Sequence, residues 1–590
     1  MEDPRAAQPP ELLWAETEAG PVSLFAAEDG RPCRVSFAPG HARWEKELCG
    51  RRVVTELFLP PWQNVRLLLI RGAEGLDLRW QLRPLLSPAD ASSLRCRFSE
   101  GLFRAENPES GREGLRFLAG CSLPCGCRTD FTPPAMLLQL QAEELTVLGC
   151  GCCTEAELRQ LLRPGAALSA LADARSQWQR LLGERPRSTG DAALDRLLWP
   201  WALYQTLACR LMGRASLYQR GGAYGFRDQL QDAVNLLNLE SGYARERILD
   251  ACRHQYREGD VLHWWHPLPA GDRGLRSRCS DDLLWLPWAL CAYVRATGDL
   301  GICGREEPWR SSPPLAPGER DRYEQPEAVG AATVLEHARA ALERCEKRGF
   351  GPHGLPFIGS GDWNDAMDAA EGESVWLGWF LSLVSGDFAA LLEKLEQPDA
   401  ARFRALSEQA GRAADRAWNG RWYRRGYWAD GEPLGGDERI DLLPQAFAAL
   451  SPWADPDRVE IALDAALRRL VDRERGLVKL FDPPFAEGER SPGSITGYGR
   501  GVRENGGQYT HGALFLALAC LRRGRKEQGL RLLRMLVPEN HDLRRWEAEP
   551  YVLAADVSAA PGREGEAGWT WYTGSAGWFW RTVRELSEED

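Results

Sequence analysis

Three short stretches hold the side chains that could do chemistry. "GSGDWNDAMD" sets Asp362, Asp365 and Asp368 three residues apart around Trp363 and Asn364. "GVRENGGQYTHGALFLALA" puts Arg503, Glu504 and His511 where a glycine-rich loop meets an apolar run, in a chain with only eight histidines. "GWTWYTGSAGWFW" brings Thr573 and Gly574 directly ahead of another apolar run. A carboxylic acid beside tryptophan, partly desolvated, suits protonation of a departing oxygen, which glycoside cleavage requires. Backbone N–H groups at a helix start form an anion site, to which the Thr573 hydroxyl adds a donor and His511 a third from another loop. Plainer roles compete with these. Aspartates cap helices, and the stretch after Gly574 reads equally as a capped helix and nothing more. A calcium loop fits poorly: Asp362 and Asn364 hold suitable positions, but Ala366 and Met367 stand where an oxygen ligand and a glycine are needed.

Two more polar loops share this character, "GGAYGFRDQLQDAV" with Arg227 and Asp228, and "HWWHPLPAGDRGLRSRCSDDLLW". Each of the five precedes an apolar helical pattern. From about residue 190 onward the apolar period is 3.6, in about a dozen segments separated by Gly-, Pro- and Asp-rich loops. Several segments, such as "SVWLGWFLSLV", are apolar nearly all round, as the inner helices of a double-layered barrel would be. Residues 20–150 read instead as short alternating strands, "RRVVTELFLP", "VRLLLIRGA" and "LDLRWQLRPL" among them. The expected fold is multidomain α+β: an antiparallel β-sandwich over 20–150, a helical linker over 151–189 and an (α/α)6 helical barrel over 190–590. In such a barrel the loops of one end converge on one mouth. The five together would gather Asp, Arg, Trp, His and glycine backbone into a pocket suited to a sugar and an anion.

Bulk properties narrow the field. A net charge of −11 argues against nucleic acid or an anionic membrane as partner. No apolar run approaches the roughly 18–20 residues of a membrane span, and "MEDPRAAQPPELLW" lacks a signal pattern, so a cytoplasmic location is expected. The sixteen cysteines are then expected to stay reduced. The clusters Cys121/Cys125/Cys127 and Cys150/Cys152/Cys153 match no paired zinc spacing, and no metal is expected. The 24 tryptophans mildly favour a carbohydrate enzyme, since pyranose rings stack on indole faces. There is neither a Walker A loop nor a dinucleotide-binding unit.

The five loops, in this order, resemble those of glycoside hydrolase family 94, the inverting disaccharide and oligosaccharide phosphorylases. The family includes cellobiose, chitobiose and 1,2-β-oligoglucan phosphorylases and the carboxy-terminal part of cyclic β-1,2-glucan synthases. The wording here is nearest the β-1,2-glucan branch, strongly over about 190–585 and more weakly over 20–145. The resemblance implies that Asp365 is the general acid. It implies that His511, Thr573 and Gly574 bind phosphate, that Arg227 and Asp228 hold the glucosyl unit, and that Trp363, Arg503 and Glu504 contact sugar around the cleaved bond. It further implies no cofactor, with inorganic phosphate as co-substrate and a β-gluco-oligosaccharide, β-1,2 or β-1,4 linked, as the other partner. A homodimer is compatible with it. One catalytic carboxyl group would suffice, because the nucleophile arrives already anionic. Against the family pattern the chain is expected to be shortened at both ends, in its first strands and in a carboxy-terminal β-domain. Two other readings stay open: a hydrolase on the same barrel with Glu504 or Asp228 as base, and a non-catalytic carbohydrate-binding remnant.

Overall fold

The computed structural model describes residues 11–25, 32–84, 86, 93–108, 114–129, 135–216, 221–268 and 271–588. It divides into two compact units, Met1–Gly183 and Glu184–Asp590. Tyr218 to Arg220, which lead into "GGAYGFRDQLQDAV", lie outside the described residues.

The first unit is built on two antiparallel sheets. The smaller has five strands in the order Gly126–Arg128, Met136–Gln141, Asp77–Leu82, Glu11–Thr17, Gly20–Ser23. The larger has eight, with Val65–Arg71 and Leu145–Gly151 paired at its centre. Facing side chains of the two sheets, Leu13, Leu78, Trp80 and Leu138 from one and Leu68, Ile70, Phe103 and Leu148 from the other, form a single core. The opposite face of the larger sheet, with Leu67, Leu69, Leu118 and Val147, is covered by helices Glu155–Leu161 and Pro164–Leu182. That explains "VRLLLIR": a strand buried on both faces loses its alternation and becomes a continuous apolar run. Gly149 permits the close approach, since a Cβ there would stand 2.9–3.2 Å from Leu67, Leu158 and Leu162. The stretch expected as a linker is thus helical, but it packs into the first unit. The Cys121/Cys125/Cys127 cluster and Cys150 pack against the inter-sheet core.

The second unit is an (α/α)6 barrel. Among the described residues its inner helices are Phe226–Asn235, Trp285–Thr297, Val375–Lys394, Leu442–Leu450, Thr510–Arg522 and Ser575–Glu588. Each touches the next, and the last returns to the first. Outer helices, such as Ala400–Arg416 and Pro456–Arg469, are amphipathic and pack behind them. Val375–Lys394 corrects the expectation about apolar runs. By length and composition it could cross a bilayer, yet 78% of its apolar window is buried among the other helices. Its all-round apolarity is that of an inner helix.

The inner helices all present their N-termini to the polar loops, and one buried cation ties two of these starts together. Arg425 Nη2 donates to both carboxylate oxygens of Asp362 at 2.6 Å, and its Nη1 donates to Ser374 Oγ at 3.2 Å. Ser374 caps the helix at Val375 by accepting the Leu377 N–H, and its hydroxyl donates to Asp362. On the other side Arg425 Nε lies 3.3 Å from Asp441, which caps the helix at Leu442. Arg425 and Asp362 are fully buried, so removing one partner leaves an uncompensated charge. Arg425→Met is expected to lower the unfolding free energy by about 3–5 kcal/mol, and adding Asp362→Leu should restore part of it. Urea unfolding of the two variants checks this; a single variant as stable as the parent would refute the role given to the pair.

Candidate active site at the mouth of the helical barrel

The "GDWND" turn sorts its aspartates by geometry. Asp362 accepts the Asn364 N–H at 3.0 Å and Asn364 accepts the Ala366 N–H at 3.0 Å, so these two side chains shape the turn. Asp368 pairs with Arg320. Asp365 is left facing outward, 59% exposed, with one partner among the described residues: Arg227 Nη2 donates to its Oδ1 at 2.6 Å. The expected partial desolvation by tryptophan is therefore not seen. Trp363, two residues earlier in the turn, goes inward. It is 7% exposed, edge-on to Tyr509 at 5.2 Å and to His511 at 5.4 Å.

Arg227 stands in the first turn of Phe226–Asn235 and reaches across two other loops. Its Nη1 donates to Asp281 at 2.8 Å and to the Asp362 carbonyl at 2.9 Å. Burial works against its charge, but Asp281 and Asp365 outweigh burial and hold its pKa well above the ordinary value. His263 donates from Nδ1 to Asp282 at 2.7 Å nearby, and its pKa is pushed up to about 9: burial opposes the charge, while Asp282 and Asp365 favour it. His263, Cys279 and Asp282 bring possible metal ligands within 4.8 Å of one another. Arg227 already lies 3.8 Å from both the thiol and Asp282, so a metal ion would meet its charge.

One helical turn separates Asp228 from Asp232, and both accept from Arg210, at 2.9 and 2.7 Å. Burial would raise Asp228, but Arg210 and Arg227 outweigh it and hold its carboxyl below the ordinary range. Asp232 is fully buried, and burial pushes it up to about 6 against the pull of Arg210. Gly574 borders this pair. A Cβ placed there would lie 3.8 Å from Arg210, from Asp232 and from the His511 ring. The Thr573 and Ser575 hydroxyls are 2.8 Å apart, and Thr573 accepts the Ser575 N–H, so it also caps the last inner helix. His511 is held by Trp363, Phe515 and Trp578. Burial drives its pKa down to about 3, leaving a neutral imidazole whose Nε2 has no hydrogen-bond partner among the described residues.

Arg503 and Glu504 form the remaining wall. Arg503 adopts φ +48°, a left-handed backbone that non-glycine residues seldom take. It donates to Asp556 at 3.2 Å and lies 3.4 Å from Glu504. Burial raises the pKa of both carboxylates in spite of Arg503, and the Asp365 charge adds to the effect on Glu504.

The residues singled out from the sequence, Asp365, His511, Thr573, Gly574, Arg227, Asp228, Trp363, Arg503 and Glu504, thus fall in one cluster. Sequence reasoning missed Arg210, Asp232, Asp281 and Asp556. Asp232 had a signal, since it follows Asp228 by four residues on a helix, and Asp281 lies in a loop already suspected. Arg210 sits inside an apolar pattern that reads as core.

The geometry can be set beside known proteins. The model of the glycosyl hydrolase 94 superfamily catalytic domain matches residues 177–586. The chain is 42% identical over 430 residues to the cyclic beta-(1,2)-glucan synthase NdvB of Rhizobium meliloti (strain 1021), covering 70% of this chain and 15% of that protein. It is 30% identical over 449 residues to the solabiose phosphorylase of Paenibacillus borealis, covering 72% of this chain and 53% of that one. An N,N'-diacetylchitobiose phosphorylase of Vibrio proteolyticus is 26% identical over 467 residues, covering 73% and 56%. The chain therefore spans little more than half the length of these phosphorylases, and far less of the synthase. A bacterial glucoamylase complexed with acarbose superposes over 98% of this chain and 88% of its own, with a TM-score of 0.61 at 11% identity, a likeness of fold alone. With a catalytic-domain match that takes in the whole ring of inner helices and every loop of the site, the chain belongs to the glycosyl hydrolase 94 superfamily.

Proposed function

We propose that this chain cleaves a β-linked gluco-oligosaccharide by inverting phosphorolysis, releasing α-glucose 1-phosphate, and that the reaction is reversible. The observation that carries this reading is the buried, neutral His511, whose unpartnered Nε2 belongs to the same small group as Gly574, Thr573 and Arg210. Arg210 supplies the cation that the sequence reading of the anion pocket lacked. A neutral imidazole with its proton on Nε2 donates one hydrogen bond there, and a guanidinium is the side chain best suited to phosphate oxygens. Arg227 fixes the acid loop and, with Asp228, borders the place of the glucosyl unit. Phosphate attacks the anomeric carbon from the face opposite the leaving oxygen, and Asp365, which must first take up a proton as bound sugar displaces the solvent around it, passes that proton to the oxygen. No second carboxylate is needed to activate the nucleophile. Known phosphorylases among the relatives support the same assignment.

Asp365→Asn keeps the volume of the side chain and loses the proton. Turnover of an unactivated β-glucoside should fall on the order of 10²–10⁴-fold. Proton NMR of the parent reaction should show α-glucose 1-phosphate first, with free glucose negligible at saturating phosphate. A β-phosphate would overturn the single displacement, and glucose release independent of phosphate would assign water as the nucleophile.

The anion pocket yields two expectations. His511→Ala should raise the KM for phosphate about 10- to 100-fold while leaving sugar affinity nearly unchanged. His511→Asn, which keeps a neutral donor, should recover part of the loss. An unchanged phosphate KM in His511→Ala would count against this pocket. Asp232, protonated below about pH 6, adds no negative charge there and ionises as pH rises through that value. Inhibition by sulfate, which does not titrate in this range, should therefore weaken from pH 5 to pH 7. Asp232→Asn should flatten the profile; a profile that keeps its slope in this variant would show that another group sets it.

A further inference from the structure

Four of the sixteen cysteines, Cys96, Cys121, Cys125 and Cys127, pack against the core between the two sheets of the first unit. Two of them form a pair. Cys121 ends the strand Arg116–Cys121 of the larger sheet, and Cys125 directly precedes Gly126–Arg128, the edge strand of the smaller one. The Ser-Leu-Pro turn between them crosses from sheet to sheet. Ser122 fixes its start: its N–H donates to the Val147 carbonyl at 2.8 Å, and its hydroxyl oxygen accepts the Val147 N–H at 3.0 Å. The Cys121 thiol donates to the Leu123 carbonyl at 3.0 Å and is in hydrogen-bond contact with Cys125.

The two sulfurs differ in access. Cys125 borders an open cleft of about 530 Å³, and its neighbours Pro124 and Gly126 are exposed. Gly126 has open space where a Cβ would stand, so no side chain narrows the approach. In the rest of the cleft Asp77 and Arg79 offset each other in charge, and Gln139 and Gln141 offer amide donors and acceptors. A cleft of that size and lining suits a small peptide-like molecule. The contact also sorts the thiols by role. The hydrogen bond with Cys121 holds the Cys125 thiol below its ordinary pKa in spite of burial, while the same bond and burial push Cys121 up. The accessible sulfur is thus the one that ionises first, and the thiolate is the nucleophile in disulfide exchange.

We propose that Cys125 and Cys121 form a reversible thiol–disulfide site, at which Cys125 attacks a small peptide disulfide in the cleft and Cys121 resolves the adduct. In the first step the Cys125 thiolate bonds to one sulfur of the small disulfide, and the other sulfur leaves as a thiolate. Cys121 then gives its proton to solvent and attacks the Cys125 sulfur, expelling the second small thiolate. One small disulfide is reduced to two thiols, and the two protein thiols become one disulfide. The site uses no residue of the candidate active site, and its test needs no turnover.

The folded full chain would be incubated with glutathione disulfide, quenched with acid and mapped by peptide mass spectrometry. The parent should end with a Cys121–Cys125 disulfide and no lasting adduct on Cys125, and dithiothreitol should restore both thiols. Cys121→Ser should instead accumulate a glutathione adduct on Cys125, and Cys121→Ala, which replaces the thiol by an apolar group, should do the same. Cys125→Ser should abolish oxidation of Cys121. Cys49, which is exposed, serves as the comparison, since exposure alone would make it react first. Modification of Cys49 with Cys125 left untouched would overturn the proposal. So would an adduct that persists on Cys125 in the parent as it does in Cys121→Ser, because Cys121 would then resolve nothing.

Discussion

The buried guanidinium of Arg227 is the interaction on which the site depends. Taking such an ion out of water costs several kcal/mol, and the cost is offset only where charged and polar partners surround it in good geometry. Here those partners are Asp281, Asp365 and the carbonyl of Asp362. They come from two loops that lie 54 to 138 residues away in the chain. A planar fork with several fixed N–H directions can serve three acceptors at once, which a lysine ammonium could not do with the same precision of direction. The acid loop is therefore not free to choose its place. Its one outward-facing carboxylate is aimed by the same cation that joins it to the first inner helix.

Around this cation the barrel repeats one arrangement. Each inner helix begins at the mouth, and its first turn or the loop before it supplies a functional side chain: Arg227 and Asp228, Asp281, Asp362 and Asp365, Asp441, His511, Thr573 and Gly574. Helix N-termini carry partial positive charge, so the rim gathers that charge from several sides. Carboxylates serve there as caps, as Asp441 does by accepting the Leu443 N–H. Deeper in, the Arg210 pair with Asp228 and Asp232 holds a cation under Gly574, and the apolar packing of His511 keeps its ring neutral. The ring stays neutral beside these charges because burial among Trp363, Phe515 and Trp578 outweighs them.

Much of this was legible in the sequence, for identifiable reasons. The 3.6-residue period separates all-round apolar inner helices from amphipathic outer ones, and alternation with turns marks the strands of the first unit. The polar loops stand out because Arg, Asp and His interrupt otherwise regular patterns just before helices. What could not be read was pairing at a distance. Arg425 looks like one of several arginines in "NGRWYRRGYW", yet it fastens Asp362 and two helix starts. Arg210 looks like an intrusion in a core helix until Asp228 and Asp232 are placed beside it. Asp365 is more solvated than its place near Trp363 in the sequence suggests, because Trp363, two residues away, is buried while the carboxylate faces outward. The end of the first unit was also misplaced, since amphipathic helices after a sandwich read equally well as a connector or as a cover for its outer face.

The inner helix Val375–Lys394 has a consequence for biosynthesis. Its flanking inner helices are Trp285–Thr297, made before it, and Leu442–Leu450, made after it, and its outer companion Ala400–Arg416 also follows. While the ribosome is still working through those later segments, the nascent chain exposes a stretch that composition alone cannot tell from a membrane anchor. During that interval the helix lacks Leu442–Leu450 and Ala400–Arg416 to cover it, and chaperones that bind apolar segments would find a target there. The same property that makes the finished barrel solid therefore gives its synthesis one vulnerable interval.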